Sequence, residues 1–192
     1  MSDDYYNQHA KAFFDTTKDV EMTPLTSKFL SLVPAGGHIL DAGCGSGRDS
    51  KFFKEMSFSV TAIDASEQLA AMAQEYIGQP VEVCRFMDFS SDVLFDGIWA
   101  CASLLHVPAS QLPQTFSHLA SMLKSGAAFY CSFKYGTDDI ERDGRAFTNC
   151  DELRLQSFIN NAQLVLRETW ITSDLRPGRE NEKWLNAILF KE

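Results

Sequence analysis

The chain has 192 residues, of which 45% are hydrophobic and 22% charged, and its formal net charge is −9. That length fits a single domain, residues 1–192, and the composition is that of an ordinary globular protein, which excludes a disordered or fibrous chain. The acidic balance argues against sequence-independent nucleic-acid binding, which draws on cations to neutralise phosphates.

No apolar run reaches the length of a membrane span, and the start, Met1-Ser2-Asp3-Asp4, is acidic where a signal peptide is basic, so a cytoplasmic location is expected. Five cysteines, Cys44, Cys84, Cys101, Cys131 and Cys150, are widely spaced, with no C-x-x-C pair and no neighbouring histidine. They read as reduced core residues, with neither a disulfide framework nor a metal site. Arginine is unevenly placed: Arg48 and Arg85 precede residue 140, and Arg142, Arg145, Arg154, Arg167, Arg176 and Arg179 follow it. A cationic site inside an acidic protein is compatible with that distribution.

In chain order, residues 3–17 place Tyr6, Ala10, Phe13 and Phe14 near helical spacing, and Thr23-Pro24 has the form of a capped start to a second helix over residues 23–33. Residues 1–35 thus read as an N-terminal helical cap. After the breaker Pro34-Ala35-Gly36-Gly37, the apolar run His38-Ile39-Leu40 is a short buried strand that enters the turn Asp41-Ala42-Gly43-Cys44-Gly45-Ser46-Gly47-Arg48 and then a helix over residues 50–56. Glycines at alternate positions let the backbone turn sharply and approach a ligand, and the helix start offers free N–H groups. A second strand, residues 58–63, ends at Asp64, twenty-one positions after Gly43, where an α/β nucleotide fold places the carboxylate that accepts from ribose hydroxyls.

Beyond the turn, Ser66 caps a helix over residues 67–77 that Gly78 and Pro80 stop, and residues 81–84 form a third strand. A fourth strand, residues 96–101, leads into Ala102-Ser103-Leu104-Leu105-His106-Val107-Pro108, where His106 is the one titratable group. Packing and proton transfer both remain open for it. A helix over residues 110–123 precedes a fifth strand, 127–133; Tyr130 and Lys134 match the Y-x-x-x-K of short-chain dehydrogenases, but that chemistry needs a helix and this segment is a strand. Residues 134–149 are polar and read as an active-site loop, with a solvated linker as the alternative. A helix over residues 151–162 and strands over 164–172 and 184–190, joined by a hairpin at 174–180, complete the chain. The expected fold is α/β, a three-layer sandwich with a mainly parallel sheet and an antiparallel C-terminal strand.

The glycine order is G-x-G-x-G, whereas the dinucleotide fingerprint is G-x-G-x-x-G. With an acidic residue two places ahead of it, this turn resembles the first motif of class I S-adenosylmethionine-dependent methyltransferases, and Gly-Cys-Gly-x-Gly-Arg-x-Ser is similar to their tellurite-resistance branch. The resemblance spans about residues 36–192 and implies a Rossmann-like seven-stranded sheet of order 3-2-1-4-5-7-6. It implies S-adenosylmethionine as cofactor, S-adenosylhomocysteine as product, and cofactor contacts at Asp41, Gly43, Cys44, Gly45, Gly47, Arg48, Asp64, Ala65, Met87, Asp88, Phe89 and Cys101.

For the acceptor, the resemblance implies a small molecule and an N-terminal helix that closes over it, which makes Tyr5 and Tyr6 substrate-binding candidates. The family's nucleic-acid enzymes carry Asn or Asp followed by Pro-Pro where this chain has Cys101-Ala102-Ser103, so base methylation is not expected. Basic residues on the last hairpin face the active site in the tellurite-resistance branch, and Arg176 and Arg179 fall there, although that branch's hairpin histidine has no counterpart at Asp174-Leu175. With His106, Arg145, Arg176 and Arg179 as catalytic candidates and Arg142 and Arg145 as substrate contacts, the expected acceptor is anionic or a soft thiol or chalcogen nucleophile. The expected assembly is a monomer or homodimer. The rival readings are a nicotinamide-dependent oxidoreductase and a non-catalytic S-adenosylmethionine-binding protein.

Overall fold

Strand β1 (His38–Ala42) lies at the centre of the sheet, paired in parallel with β2 (Ser59–Asp64) on one side and with β4 (Phe95–Ala100) on the other. The computed structural model describes residues 2–176 and 178–192; Pro177, in the expected last hairpin, lies outside the described residues. Adding β3 (Glu82–Val83), β5 (Leu123–Lys134), β8 (Leu164–Ser173) and β9 (Lys183–Lys191) gives a seven-stranded sheet of order β3-β2-β1-β4-β5-β9-β8. Strand β9 is antiparallel to both β5 and β8, and the rest pair in parallel. The order reverses between β1 and β4, and this switch point opens a crevice at the carboxyl ends of the strands.

Both faces of the sheet are covered, which is why its central strands are continuous apolar runs. On one face α2 (Thr23–Leu30) and α3 (Arg48–Glu55) bring Phe29 and Phe53 onto Trp99, which stacks on Tyr130 with ring centroids 3.9 Å apart. Gly97 of β4 leaves room for this layer, since a Cβ there would lie 2.8 Å from the Phe29 ring. On the other face α5 (Leu112–Ser121) and α6 (Glu152–Ile159) bury Phe116, Leu119, Leu155 and Phe158 against β4 and β5.

Helix α4 (Glu67–Ile77) starts as expected: Ser66 Oγ accepts from the Leu69 amide, and Gly78 closes it in the left-handed conformation. Helix α2 does not. Thr23 lies inside it, and the Glu21 carboxylate accepts from the Thr23 amide at 2.8 Å where a hydroxyl cap was expected. Helix α1 (Ser2–Thr17) crosses the mouth of the crevice; Asn7 Oδ1 accepts from Ser66 Oγ at 2.7 Å, and Phe14 packs edge-on against Tyr76 of α4.

The segment expected as a polar loop is largely a β-hairpin, β6 (Asp139–Arg142) and β7 (Arg145–Thr148). Its turn is Asp143-Gly144, both with positive φ (53° and 72°), the backbone that a two-residue hairpin requires. Among the described residues no helix is long and apolar enough to cross a membrane, and no cluster of side chains is suited to hold a metal ion.

Candidate active site

The carboxyl ends of β1, β2, β4 and β5, the amino end of β9 and the end of β8 all meet at one edge of the sheet. Helix α1 and the β6–β7 hairpin roof over it, enclosing a cavity of about 660 Å³. One end is acidic and the other cationic.

At the acidic end the glycine turn is fixed by neighbours on every side. The Gly43 and Cys44 amides both donate to the Ile63 carbonyl at 2.9 Å, and a Cβ on Gly43 (φ 82°) would lie 2.5 Å from Ser103 Cβ. Asp64 closes the turn: one carboxylate oxygen accepts from the Gly45 amide and the other from the Ser66 amide, each at 2.8 Å. The Asp64 carboxylate is therefore oriented before any ligand arrives, and it borders the cavity together with Ala65.

Asp41 is buried beneath the turn and accepts from Ser50 Oγ at 2.6 Å. Burial first, and the neighbouring Asp49 second, push its carboxyl up to about 8. Asp49, which the sequence reading missed, is held by Arg48 through two hydrogen bonds of 2.7 and 2.9 Å and by Trp99 Nε1 at 2.9 Å. Asp49 sits in the first turn of α3 and lines the cavity, so a negative charge stands beside the helix start that a dinucleotide fold keeps for pyrophosphate. Asp88, Met87 and Phe86 line the same end, beyond β3.

Several expected contacts lie elsewhere. Phe89 is 2% exposed and packs on Phe95 in the core, because the turn after Arg85 rotates its ring inward. Gly47 (φ 76°) is absent from the lining; a Cβ there would lie 2.7 Å from Ile77 Cδ1, so its role is to let α3 pack on α4. The cysteines also divide differently from expectation: all five are free, but only Cys131 and Cys150 are core, while Cys44, Cys84 and Cys101 line the cavity. Burial pushes the Cys84 and Cys101 thiols up to about 12 and raises Cys44 well above the ordinary range, so none offers a thiolate at neutral pH.

Between the two ends, β4 runs out through Cys101 and Ala102, the latter with φ 51° and its amide held by Ser132 Oγ at 2.8 Å. The 3₁₀ turn Leu104–His106 follows and delivers the His106 ring to the cavity. His106 Nδ1 lies 2.9 Å from the Ala146 carbonyl oxygen of β7, and Nε2 lies 2.8 Å from Tyr6 Oη of α1.

At the cationic end Lys134, Arg145, Arg176 and Arg179 all line the cavity. Arg176 is gripped by Asp174 at 2.9 and 2.5 Å, Arg179 by Glu182 at 2.8 Å twice, and Lys134 reaches Glu182 at 3.1 Å. Asp174 in turn accepts from Trp184 Nε1 at 3.1 Å, and its hydrogen bonds with Arg176 hold the carboxyl, despite partial burial, down at about 2. Among the described residues these four cations pair with three carboxylates, Asp174 and Glu182 in or beside the last hairpin and Asp143 in the β6–β7 turn. Arg145 is 16% exposed at its side chain, its Nε is buried without a hydrogen-bond partner, and Asp143 lies 3.5 Å from it.

Two substrate candidates stand outside the cavity lining. Tyr5 is turned away from it and stacks on His9, while the Arg145 guanidinium sits over its ring, so it backs Arg145. Arg142 is exposed, 61% at its side chain, beside Asp143 at the end of β6, whose four residues are all exposed.

Comparison with known proteins agrees with this geometry. The model of a methyltransferase-domain family matches residues 39–126, from β1 through α5. The chain is 30% identical over 123 residues to the ubiquinone biosynthesis O-methyltransferase of Xanthomonas axonopodis pv. citri, covering 58% of this chain and 49% of that one. It spans between 31% and 58% of the length of the curated relatives it matches. Among solved structures, the 1,6-didemethyltoxoflavin-N1-methyltransferase of Burkholderia thailandensis, bound to 1,6-didemethyltoxoflavin and S-adenosylhomocysteine, superposes with a TM-score of 0.77 at 20% identity, over 99% of this chain and 86% of that one. The magnesium protoporphyrin IX methyltransferase of Synechocystis PCC 6803, bound to S-adenosylhomocysteine, gives 0.77 at 15% identity, over 100% and 98%.

The fold is thus the Rossmann-like one of these methyltransferase structures, and residues 39–126 match a methyltransferase-domain family. The cavity lining is compatible with S-adenosylmethionine. Its acidic end, with Asp49, Asp64 and Asp88 against Arg48 and Arg85, suits a ligand carrying ammonium and sulfonium charge and no phosphate.

Proposed function

We propose that this chain transfers a methyl group from S-adenosylmethionine to a small-molecule acceptor that is an anion or carries an anionic group. The observation that carries the reading is the opposed charge of the two ends of one cavity. A cationic donor suits the acidic end, and the surplus of cations around Arg145, Arg176 and Arg179 suits an anion opposite it. In this reading Asp64 accepts from the ribose hydroxyls, Asp88 and Met87 border the adenine, and the turn from Gly43 to Gly45 with Asp41 faces the methionine part. Bound there, S-adenosylmethionine supplies an electrophilic methyl group on a sulfonium. The protein's contribution is to hold the acceptor in line and keep water out, which α1 and the β6–β7 hairpin accomplish by roofing the cavity.

The acceptor range includes soft thiols and chalcogen oxyanions of the tellurite kind, for which no base is needed. A nicotinamide cofactor is disfavoured by Asp49, whose carboxylate in the first turn of α3 would repel a pyrophosphate at the helix start. Thermal denaturation with S-adenosylmethionine, S-adenosylhomocysteine, NAD and NADP tests the cofactor half: the first two raise the melting temperature and the others do not, because only ligands of the native state stabilise it. Following S-adenosylhomocysteine release across thiols, oxyanions, phenols, carboxylates and amines tests the acceptor half. Turnover confined to neutral or cationic acceptors overturns it.

A further inference from the structure

We propose that Arg145 is the residue that binds the acceptor's anionic group, and that the acceptor is a planar aromatic carboxylate seated among the rings at the cavity mouth. The proposal deepens the anionic-acceptor reading above and rests on it. It goes beyond that reading in separating Arg145 from the arginines of the last hairpin.

Three arginines that line the cavity are already matched by carboxylates of the chain. Arg48 gives Nε and Nη2 to Asp49 at 2.7 and 2.9 Å, Arg176 gives the same two groups to Asp174 at 2.9 and 2.5 Å, and Arg179 gives them to Glu182 at 2.8 Å each. This two-point contact is the strong way in which a guanidinium meets a carboxylate. Asp174 and Glu182 also shape the hairpin, since Asp174 Oδ1 accepts from the Arg176 amide and the Asp174 amide donates to the Glu182 carbonyl. Arg176 and Arg179 are therefore engaged in holding the chain's own turn.

Arg145 differs. Its Nε is buried without a hydrogen-bond partner, and Nη2 meets Asp143 only at 3.5 Å. Asp143 is itself 60% exposed and lies 3.6 Å from Arg142 as well, and a shared, exposed carboxylate compensates a cation weakly. A charged donor that is buried and unmatched carries a desolvation cost, which a carboxylate brought by a ligand removes. The aromatic contact does not compete for that position. The Tyr5 ring stands 4.2 Å from the guanidinium and takes its face, whereas a carboxylate binds the fork along its edge.

The surroundings define the rest of the acceptor. From Arg145, the Phe147 ring is 5.2 Å away and the Tyr6 ring 6.0 Å. His106 lies 5.0 Å from Phe147 and 5.3 Å from Tyr6, and Phe13 lies 5.1 Å from Tyr6, between ring centroids. A series of rings thus runs from Arg145 to the turn that follows β4, and these four side chains line the cavity. Aromatic faces and edges receive another flat ring better than a saturated ring of the same size. With its carboxylate on Arg145, a ring along that wall carries its nucleophile toward the end of β4.

The test measures, by calorimetry on protein saturated with S-adenosylhomocysteine, the affinities of the three hydroxybenzoates, the matching hydroxybenzamides and the matching hydroxycyclohexanecarboxylates. Wild type is compared with Arg145→Gln, Arg145→Lys and Arg179→Gln, and the S-adenosylhomocysteine affinity of each variant identifies folded protein. In wild type the best hydroxybenzoate should bind about 30-fold tighter than its amide and about fivefold tighter than its saturated counterpart. Arg145→Gln should lower the acid-to-amide ratio about 30-fold. Arg145→Lys should recover only part of it, because an ammonium keeps the charge and loses the fork. Arg179→Gln should lower the ratio less than Arg145→Gln does. Equal losses of acid and amide in Arg145→Gln would show a packing role and overturn the proposal, as would a larger fall of the ratio in Arg179→Gln. In either case a wild-type preference for acids leaves the anionic-acceptor reading standing. Saturated carboxylates that bind as tightly as the aromatic ones would overturn the aromatic class. If wild type binds S-adenosylhomocysteine yet binds no acid, or binds acids and amides alike, the anionic-acceptor reading fails and this proposal fails with it.

Discussion

The guanidinium of Arg145 lies 4.2 Å over the ring of Tyr5, joining the tip of the β6–β7 hairpin to helix α1 across the cavity mouth. Phe147, 5.2 Å away, and Tyr6, 6.0 Å away, complete an aromatic enclosure around this cation. A desolvated cation over an aromatic face is worth about 2 kcal/mol or more. Tyr5→Ala should therefore loosen Arg145 and raise the acceptor KM by about tenfold, with cofactor affinity within twofold of wild type. Arg145→Glu reverses the charge and should abolish turnover of anionic acceptors. Steady-state kinetics with both substrates varied separates these effects. Unchanged acceptor KM in both variants would mean that Arg145 is only a roof contact.

Asp64 carries a second expectation. Its two carboxylate oxygens accept from the Gly45 and Ser66 amides, and the residue borders the cavity. Hydrogen bonds to a charged group contribute roughly 1.5 to 3 kcal/mol, so Asp64→Ala should weaken S-adenosylhomocysteine binding at least about tenfold by calorimetry. The variant also strands two backbone donors, and it should melt below wild type without ligand. Wild-type affinity in a folded Asp64→Ala protein would place the ribose elsewhere.

The sheet was legible in the sequence because its signals are local: apolar runs, the cap at Ser66, and glycine stops. Ser66 does cap α4 and Gly78 does close it. The strand order came from resemblance to a family, since which strands pair across a sheet is a long-range property. The β6–β7 hairpin was overlooked although Asp143-Gly144 is a strong turn signal, because its strands are short and β6 has little apolar alternation. Asp49 was missed for a different reason. Its importance comes from Trp99, fifty residues away, whose Nε1 reaches it only once β4 lies beside β1. Likewise, resemblance suggested Tyr6, and His106 stood out as the one titratable group after the fourth strand, but their contact across one hundred residues belongs to the folded chain.

Gly47 separates packing from ligand contact. With φ at 76° and Ile77 Cδ1 at 2.7 Å from a built Cβ, Gly47→Ala strains the backbone and forces α3 away from α4. A loss of about 1 to 3 kcal/mol in unfolding free energy is expected from overpacking and left-handed strain. Cofactor affinity of the protein that remains folded should stay within about threefold, since residue 47 does not line the cavity. Denaturant titration and calorimetry read the two quantities independently. A large affinity loss with unchanged stability would return Gly47 to the cofactor site.

The last expectation concerns pH. Asp41 has a folded-state pKa of about 8 against an ordinary value of 3.8, raised by burial and then by Asp49. Between those values the folded protein holds a proton that the unfolded chain has lost. Stability contributed by this group is therefore complete below about pH 4 and declines as pH rises toward 8. Asp174 works in the opposite direction but in a lower window, since its folded value of about 2 lies below 3.8. It adds nothing to the slope above pH 5. Asp41→Asn keeps an acceptor for Ser50 Oγ and removes the ionisation. Its denaturation midpoint should gain on that of wild type steadily from pH 5 to pH 8 and hold a constant advantage above that. Curves that run parallel for the two proteins from pH 5 to pH 9 would show that Asp41 is ionised throughout. A cationic donor bound near the turn favours the ionised carboxylate, so saturating S-adenosylmethionine should flatten the wild-type decline and leave the Asp41→Asn curve unchanged in slope.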